Sequence, residues 1–493
     1  MTRQATTGRT DDVAGTAAGR GGNRWAVLAV VLTGFFMILL DGTIMNVAIP
    51  PLQQSLHAGY AAAQWLMSGY ALAYGLVLIP AGRLGDHVGH RRMFLMGLIG
   101  FTVASLLCST AVTSGEIIGW RVLQGLAAGT MNPAILAMIQ AAFPPDVRGR
   151  AFTWYGATAG VASAAGPVLG GLLIGADLFG LTWRTIFLLN VPIGVVALIA
   201  AMRLLPERRS AGGGSTDPMG IGLLATALLL VEFPLIQGYG QDWPWWSFAL
   251  LVLAVPALFA FVRWEIHRGN AGRTQLINVR LFRDRVFGAG VGIVVCQFVA
   301  FASLQFALSA FLQLGLGVSP VVGGLALLPF AVGTFVGSSI SDIMVRRLGR
   351  RALHTGAALL SIGTAGTIVT IHLLGTGVGA AWLAPATFLA GMGALLLGAP
   401  IIGIILNEVT LDDAGSAGGV VATAQRFGQA FGVAIVGTAL FASLPANAAN
   451  RTPGSLPADF TTAIQIAALY CLGAAIATYL LIFLLPGPRS ARS

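Results

Sequence analysis

Long apolar runs of about 20 residues alternate with short polar segments along the chain. A helix of about 20 apolar residues crosses a hydrocarbon core of ~30 Å, and within lipid only helices or closed barrels satisfy their backbone hydrogen-bonding groups. The pattern therefore predicts an all-α polytopic membrane protein with fourteen transmembrane helices. The predicted spans are 25–49, 60–81, 93–112, 116–140, 151–175, 184–205, 218–238, 245–264, 287–312, 319–341, 352–374, 382–406, 417–443 and 460–485.

The arginines are distributed unevenly between the two sets of loops. With the amino terminus placed in the cytoplasm, nearly all of them fall in the termini or in inner loops. Only Arg184 and Arg451 fall in predicted outer loops. Cytoplasmic loops of membrane proteins carry an excess of basic residues. The asymmetry predicts a multi-pass protein of the cell membrane with both termini in the cytoplasm, and it supports an even number of spans.

The composition agrees with lipid as the surroundings of most of the chain. Hydrophobic residues make up 56% of the 493 residues and charged residues 9%, whereas soluble proteins carry about 25% charged residues. A formal charge of +10 would point to nucleic acid in a soluble protein, but here the cytoplasmic arginines account for it. All three cysteines lie in apolar runs, so neither a disulfide framework nor a metal site is expected.

Two connecting segments carry further signals. Tyr239–Trp246 contains three tryptophans and is typical of an aromatic anchor at the membrane interface, with a drug site lined by these rings as the alternative. Leu276–Phe287, in the loop 263–285, is predicted to form a basic amphipathic helix on the inner leaflet. Its predicted function is anchoring.

The turn between the second and third spans carries the motif Gly82-Arg-Leu-Gly-Asp-His-Val-Gly-His-Arg-Arg92, and a related pattern recurs at Gly337–Arg351. The motif resembles the loop signature of the major facilitator superfamily, and its recurrence indicates two repeated halves. The resemblance implies a latch that holds one conformation of two rocking halves. The latch residues would be Gly82, Asp86, Gly89, Arg91 and Arg92. His87 and His90 stand where that family has basic residues, either as a pH sensor or as tolerated surface substitutions.

Four further segments strengthen the resemblance. Arg121–Gly125 resembles an element linked to proton coupling in that family, and Gly160–Gly171 resembles the motif of its exporters. Leu40–Pro50 and Trp183–Gly194 are similar to elements of the fourteen-span drug:proton antiporters within it. In the fifth span the glycines permit close helix approach and the proline permits a bend. The residues assigned to this antiporter motif are Gly160, Gly166, Pro167, Gly170 and Gly171.

The resemblance implies the major facilitator fold, in which two six-helix bundles surround a central cavity, here with two inserted helices. The implied division of the chain is a disordered cytoplasmic tail (1–24), an N-terminal bundle (25–205), a cytoplasmic linker (206–217), the inserted pair (218–264), a cytoplasmic amphipathic segment (265–286), a C-terminal bundle (287–485) and a cytoplasmic tail (486–493).

The resemblance also implies a proton-coupled antiporter that exports small lipophilic molecules by alternating access, such as drugs, antibiotics or related metabolites. The proton gradient would drive it without a cofactor. Its expected partners are a small-molecule substrate, protons and membrane lipid, with no nucleic acid, and the expected state is a monomer. A same-fold proton symporter for uptake and a non-transporting membrane receptor are the alternatives. The six histidines are scattered, which argues against an enzyme.

Four ionisable residues lie well inside predicted spans, away from their ends, where each charge costs ~2.5–3.5 kcal/mol or more on insertion scales. At 1.5 Å per residue, Asp41 and Arg121 fall at a similar depth in the outer third of the membrane. Proton coupling is assigned to Asp41, Arg121 and Glu232, with a structural role as the alternative. Arg426 either faces the cavity or pairs with Glu408 or Asp412. The candidate substrate cavity comprises Asp41, Asn46, Gln124 and Arg426.

Overall fold

The computed structural model describes residues 15–206, 217–238, 241–273, 275–407, 409, 414–444 and 457–485. Within these ranges it contains fourteen α-helices of 20 or more residues and no strand. The helices are α1 (Gly15–Ser55), α2 (Tyr60–Val88), α3 (His90–Thr110), α4 (Ser114–Ala142), α5 (Pro145–Ala176), α6 (Arg184–Leu204), α7 (Pro218–Gln237), α8 (Trp245–Asn270), α9 (Arg285–Ala310), α10 (Pro320–Leu348), α11 (Arg351–Leu374), α12 (Ala380–Asn407), α13 (Ala414–Ala442) and α14 (Pro457–Leu481). The all-α prediction is confirmed.

Thirteen of the helices are long and apolar enough to cross a membrane. The remaining helix, α13, has sufficient length, but Gln425, Arg426 and Gln429 interrupt its apolar sequence near the middle. Polar residues inside a membrane bundle commonly mark a functional region. The polar residues in the middle of α13 are therefore candidates for a functional role.

Local sequence signals explain where several helices begin. Thr113, Asp217, Asp284 and Ser319 precede α4, α7, α9 and α10, and each side-chain oxygen accepts a backbone N–H from the first turn. Such N-caps satisfy groups that have no partner within the helix. Polar residues at these positions therefore fix the helix starts.

Helices α1–α6 and α9–α14 form two bundles with the same internal packing. In the first bundle α1 packs on α5 and α6, α2 on α4, and α3 on α4 and α6. In the second, α9 packs on α13 and α14, α10 on α12, and α11 on α12 and α14. Gly89 and Gly349 follow α2 and α10 at equivalent turns, with φ angles of 101° and 53° that favour glycine. The bundles are therefore structural repeats of each other.

Two helix pairs join the bundles, α2 with α13 and α5 with α10. The repeat relates these pairs to each other, because α2 corresponds to α10 and α13 to α5. At the predicted outer end the Tyr60 ring stacks on Phe441, with centroids 3.9 Å apart. At the same end the Ser309 hydroxyl of α9 donates to the Asn46 carbonyl of α1. The bundles are thus in direct contact at the predicted outer end.

The inserted pair, α7 and α8, packs against the seam between the bundles. Helix α7 contacts α2 from one bundle and α13 from the other. The Thr438 hydroxyl of α13 donates to the Leu235 carbonyl of α7 at 2.7 Å. Helix α8 leaves Val252, Val255 and Phe259 mostly exposed, as expected of a surface that faces lipid. One helix of the pair therefore bridges the two bundles, while the other forms the periphery.

Helix α1 begins earlier than predicted. It starts at Gly15, so the segment 1–24, predicted to be a disordered tail, is helical from Gly15 onward. Residues 1–14, most of the predicted linker 206–217 and the predicted tail 486–493 lie outside the described residues.

The segment 265–286 does not form the predicted amphipathic helix. Helix α8 continues to Asn270, only a short 3₁₀ turn occupies Val279–Arg283, and α9 begins at Arg285. Leu276 and Ile277 are buried in the protein, and the Ile277 N–H donates to the Glu265 carboxylate at 3.2 Å. The prediction was wrong because these apolar side chains pack against the protein core, which holds the segment in an irregular path.

Candidate functional site

A buried ion pair joins α1 to α4 in the N-terminal bundle. Arg121 Nη1 lies 2.5 Å from Asp41 Oδ2, and each side chain is only 1% exposed. The sequence placed both residues at a similar depth, and the packing of α4 against α1 brings them into contact. Removing one partner of a buried pair leaves an uncompensated charge that costs about 3–5 kcal/mol. The two charges therefore depend on each other.

Hydrogen bonds satisfy the remaining polar atoms of this pair. Gln124 donates to Asp41 Oδ1 at 2.9 Å and to the Ser105 hydroxyl at 2.8 Å, and its oxygen accepts from Arg121 at 2.7 Å. Arg121 Nε donates to the Leu66 carbonyl at 3.1 Å. Gln124, predicted to line the cavity, is thus the residue that links the carboxylate and the guanidinium. A fully connected network of this kind favours a single arrangement.

Asn190 of α6 completes the network and was not among the predicted site residues. Its Nδ2 lies 3.5 Å from Asp41 Oδ1, and its side chain is 1% exposed. Asn190 falls within Trp183–Gly194, a segment that contributed to the family resemblance, so that motif was the available signal. Ser105 had no comparable signal in the sequence.

A row of cations and aromatic rings leads from this ion pair to the other bundle. The Arg121 guanidinium lies 4.2 Å from the Tyr70 ring, and the Arg426 guanidinium lies 4.1 Å from the Tyr74 ring. The two rings are stacked with centroids 6.2 Å apart, because residues four apart share one helix face. Cation–π contacts of this type are worth ~0.5–2 kcal/mol. We call Arg121, Tyr70, Tyr74 and Arg426 the cation–aromatic row.

The four predicted cavity residues do not all come together. Arg426 is half-buried on α13 and donates to Gln429 at 3.0 Å, while the side chains of Glu408 and Asp412 lie outside the described residues. Asn46 is buried where α1 contacts α9, and its side chain donates to the Thr43 carbonyl at 3.3 Å. The site thus centres on Asp41 and Gln124, with Arg426 at the far end of the cation–aromatic row.

Glu232 lies at a separate position on α7. Its side chain is fully buried and faces Ser68 of α2, at the junction of α2, α7 and α13. No cationic side chain pairs with it among the described residues. A buried carboxylate without a cation is costly in its charged form. Glu232 is therefore not part of the Asp41 network.

The predicted antiporter motif lies at two helix interfaces of α5. Gly166 and Gly170 face Thr43 and Ile44 of α1, where an added Cβ would collide. On the other side, a Cβ at Gly171 would lie 2.7 Å from the Pro320 carbonyl oxygen of α10.

The remaining two motif residues extend the second interface. A Cβ at Gly160 would collide with the Phe335 ring of α10, and the Pro167 carbonyl closely approaches Gly324. The motif therefore allows α5 to pack closely within its own bundle and against the opposite bundle.

The predicted latch lies at the turn between α2 and α3. Asp86 Oδ1 is 3.2 Å from His90 Nε2, so its contact is a histidine of the same motif. Arg91 donates to the Met202 carbonyl near the end of α6 at 2.7 Å. Gly82 faces Pro133 of α4, and Gly89 forms the turn itself. Arg91 and Gly82 thus hold the motif against the N-terminal bundle, and Arg92 is exposed beside it. Arg83 of the same motif reaches beyond that bundle and donates to the Leu276 carbonyl at 3.5 Å.

A second buried charged cluster, missed by the sequence analysis, fastens the inserted pair at the predicted inner end. Asp217 Oδ2 lies 3.1 Å from Arg268 Nε, and the Trp264 indole N–H also donates to this carboxylate. Glu265 is fully buried beside them. Arg268 had been assigned to a loop, and only the extension of α8 to Asn270 brings it to Asp217. These contacts attach the start of α7 to the end of α8.

The three tryptophans of 239–246 lie at the start of α8, at the opposite end of the helix from this cluster. The Trp243 ring lies 6.1 Å from Phe248, and the Trp246 ring lies 5.7 Å from Phe233 of α7. Trp245 is 80% exposed at the start of α8. Their position at a helix end fits an interfacial anchor.

Comparison with known proteins gives relatives along nearly the whole chain. The sequence model of the Major Facilitator Superfamily matches residues 31–433. A probable actinorhodin transporter of Streptomyces coelicolor is 37% identical over 88% of this chain and 76% of its own length. A puromycin resistance protein of Streptomyces alboniger is 33% identical over 93% of this chain and 91% of its own. A tetracenomycin C resistance and export protein of Streptomyces glaucescens is 32% identical over 85% of this chain and 77% of its own length.

A solved structure shares the architecture. It is a bacterial homologue of the human lysosomal transporter Spinster in an inward-facing, unoccupied conformation, with a TM-score of 0.64 and 17% identity. The similarity covers 95% of this chain and 99% of that one, and at this identity it concerns the fold alone. The family match over most of the chain, together with the two repeated helical bundles, shows that this multi-pass membrane protein belongs to the Major Facilitator Superfamily of transporters.

Proposed function

We propose that the protein is a proton-coupled antiporter that exports small lipophilic molecules, and that it belongs to the fourteen-span drug:proton antiporter branch of its family. The names of its relatives support export, since they describe transport of actinorhodin and resistance to puromycin and tetracenomycin C. The observation that carries the proposal is the buried Asp41–Arg121 pair. A carboxylate held by a buried cation is a group whose protonation changes the local balance of charge.

The contacts between bundles suggest how access alternates. At the predicted outer end the bundles meet through Tyr60, Phe441, Asn46 and Ser309. Along the α5–α10 seam, a Cβ at Gly171 would crowd α10, whereas one at Gly156, nearer the predicted inner end, would meet nothing within 4 Å. We assign this arrangement to the state that is closed on the outside. Rocking about the glycine-lined seam would then open the outer end.

Proton and substrate would be coupled through Asp41. Protonation removes the charge that holds Arg121, and the freed guanidinium remains in contact with the Tyr70 ring. The cation–aromatic row continues to Arg426 on α13, so a change at Asp41 reaches the opposite bundle through adjacent side chains. Coupling requires that proton and substrate bind with different affinity in the two states. Competition between substrate and proton for Asp41 would make their binding exclusive, and the requirement is met when the two states expose Asp41 to opposite sides of the membrane.

The energy supplied by one proton is sufficient for useful export. A charge crossing 100 mV releases ~2.3 kcal/mol, so a gradient of ~150 mV supplies about 3.5 kcal/mol. Since each 1.36 kcal/mol is a factor of ten, one-to-one exchange sustains a substrate gradient of a few hundred-fold. No cofactor is required for this cycle.

The test uses the full-length protein in vesicles with a preformed pH gradient. Puromycin is the first probe, and a resistance screen in an efflux-deficient bacterium supplies others. Substrate addition should dissipate the gradient with the wild type and not with Asp41→Asn, which resembles the protonated form. The control Asp242→Asn removes an exposed carboxylate and should behave as the wild type.

The outcome for Glu232 separates the two buried acids. If Asp41→Asn retains substrate-induced proton flux while Glu232→Gln loses it, Asp41 is not the coupling site. Substrate and proton moving in the same direction in the wild type would instead identify an uptake symporter. If none of the compounds to which the protein confers resistance induces a proton flux, proton coupling would be contradicted.

A further inference from the structure

A groove lies between α7 and α8, at the end of these helices that is predicted to face the cytoplasm, and exposed residues of α8 line it. Its volume is about 580 Å³. Met219 and Leu223 of α7 and Ala260 of α8 form an apolar part, and Arg263, His267 and Asn270 of α8 form a polar part. The transport mechanism proposed above uses none of these residues.

The polar part of the groove has a cationic character. Arg263 and His267 are exposed, and no residue that lines the groove is acidic. Asn270 accepts a hydrogen bond from Arg280 at 2.7 Å, which brings another guanidinium to the rim. The neighbouring carboxylates, Asp217 and Glu265, are fully buried within the cluster that fastens α7 to α8. The groove therefore presents positive charge that this cluster does not neutralise.

The two parts of the groove match two depths of a bilayer. Arg263 follows the start of α8 by 18 residues, which corresponds to ~27 Å along a helix. Arg263 therefore lies near the opposite membrane surface, at headgroup level. Ala260 and Leu223 lie about one turn deeper, where hydrocarbon begins. A ligand that fills both parts has a negative headgroup and an apolar chain.

We propose that this groove binds an anionic phospholipid of the inner leaflet, with its phosphate between Arg263 and His267 and an acyl chain along Met219, Leu223 and Ala260. Guanidinium groups bind phosphate in a bidentate manner, and basic residues near the membrane attract anionic lipid. The Trp264 ring also lines the groove, and its indole N–H donates to Asp217. A lipid in the groove would therefore pack against the side chain that fastens α7 to α8. The proposal depends on neither the transported substrate nor the proton.

The test measures lipid binding to the purified full-length protein in detergent by native mass spectrometry and by thermal unfolding. Phosphatidylglycerol should bind and raise the unfolding temperature, and phosphatidylcholine should do so much less. The variant Arg263→Gln should weaken phosphatidylglycerol binding about fivefold, since each basic residue near the surface contributes ~1 kcal/mol. The double variant Arg263→Gln/His267→Gln should bind more weakly still.

A matched control separates the groove from general surface charge. Arg273→Gln removes an exposed arginine three residues beyond the end of α8 and outside the groove, and it should leave phosphatidylglycerol binding unchanged. Equal weakening by Arg273→Gln and Arg263→Gln would overturn the proposal. So would unchanged binding in the double variant.

The apolar part requires its own test. Leu223→Trp should fill the groove and weaken phosphatidylglycerol binding, and its unfolding temperature without lipid shows whether the fold is intact. Glycerol phosphate supplies the headgroup without the chains and should not compete at concentrations where the lipid binds. Competition by glycerol phosphate, or full lipid binding in a folded Leu223→Trp variant, would identify an anion site and overturn the lipid assignment.

Discussion

Arg121 and Arg426 each lie over a tyrosine ring of α2, but they differ in what else holds them. Arg121 is fully buried and is bound by a carboxylate, an amide oxygen and a backbone carbonyl. Arg426 is half-buried, and its hydrogen-bond partner among the described residues is the neutral Gln429. The charge of Arg121 is thus balanced inside the protein. We therefore expect a substrate near the bundle interface to encounter the charge of Arg426.

Arg426→Gln should therefore change which substrates are exported. Removing this cation should improve export of cationic compounds severalfold and weaken export of anionic ones, because like charges repel and opposite charges attract at short range. Resistance profiles and vesicle transport with charged pairs of related compounds measure the change. Arg203→Gln neutralises an exposed arginine at the end of α6 and serves as the control. An unchanged profile with reduced thermal stability would show that Arg426 has a structural role.

At the scale of helices, α5 forms one of the two seams at which the bundles meet. Its glycines face α1 on one side and α10 on the other, so the same helix belongs to a fixed interface and to the seam between bundles. Close packing through glycine leaves little room for added atoms, and overpacking of a tight contact costs ~1–3 kcal/mol. Substitution at the seam should therefore shift the balance between the two conformations, whereas substitution beyond it should not.

Gly171→Ala and Gly156→Ala form a matched pair on α5. The added methyl group of Gly171→Ala would lie 2.7 Å from the Pro320 carbonyl oxygen, and that of Gly156→Ala would meet nothing within 4 Å. Gly171→Ala should destabilise the contact between the bundles at the predicted outer end by ~1–3 kcal/mol. The population of protein that is open at this end should then rise about 5- to 150-fold. A cysteine at Ser309 in a cysteine-free background reports this opening through its rate of thiol labelling. Equal labelling rates in Gly171→Ala and the wild type would contradict the role assigned to the seam.

At the scale of the whole molecule, two repeated bundles are joined by α2–α13 and α5–α10, and the inserted pair packs across the first of these seams. Helix α7 contacts both bundles, so the proposed rocking would move it relative to at least one of them. The buried cluster of Asp217 and Arg268 ties α7 to α8 at the predicted inner end. The two helices of the inserted pair are therefore fastened to each other at that end.

The orientation of this assembly can be tested by labelling single cysteines in intact cells. Val112 and Phe179 are exposed at turns of the predicted outer end, and Arg283 and Arg347 are exposed at the predicted inner end. Cysteines at the first two positions should react with an impermeant reagent from outside, because the arginine-rich loops remain in the cytoplasm. Cysteines at the other two should react only after permeabilisation, which is the control for reactivity. The reverse pattern would refute the orientation.

The sequence alone was sufficient to predict the helical membrane fold, the repeated halves and the glycine motif of α5. These features depend on local properties, since the bilayer sets the length of each apolar run and close packing selects small residues. The sequence also placed Asp41 and Arg121 at one depth, because a helix advances by a fixed rise per residue. Equal depth in the membrane does not show that two residues touch, because contact also depends on how their helices are placed and rotated in the membrane plane.

Tertiary structure decided which polar groups meet. Asn190 reaches Asp41 across 149 positions of the chain, and Arg426 reaches the Tyr74 ring from the other bundle. Arg268 was predicted to lie in a loop, and only the packing of α8 against the start of α7 brings it to Asp217. The segment around Leu276 read as a lipid-facing helix, yet its apolar side chains are buried in the protein. A sequence pattern shows that a side chain avoids water, and only the packing of the helices determines whether lipid or protein surrounds it.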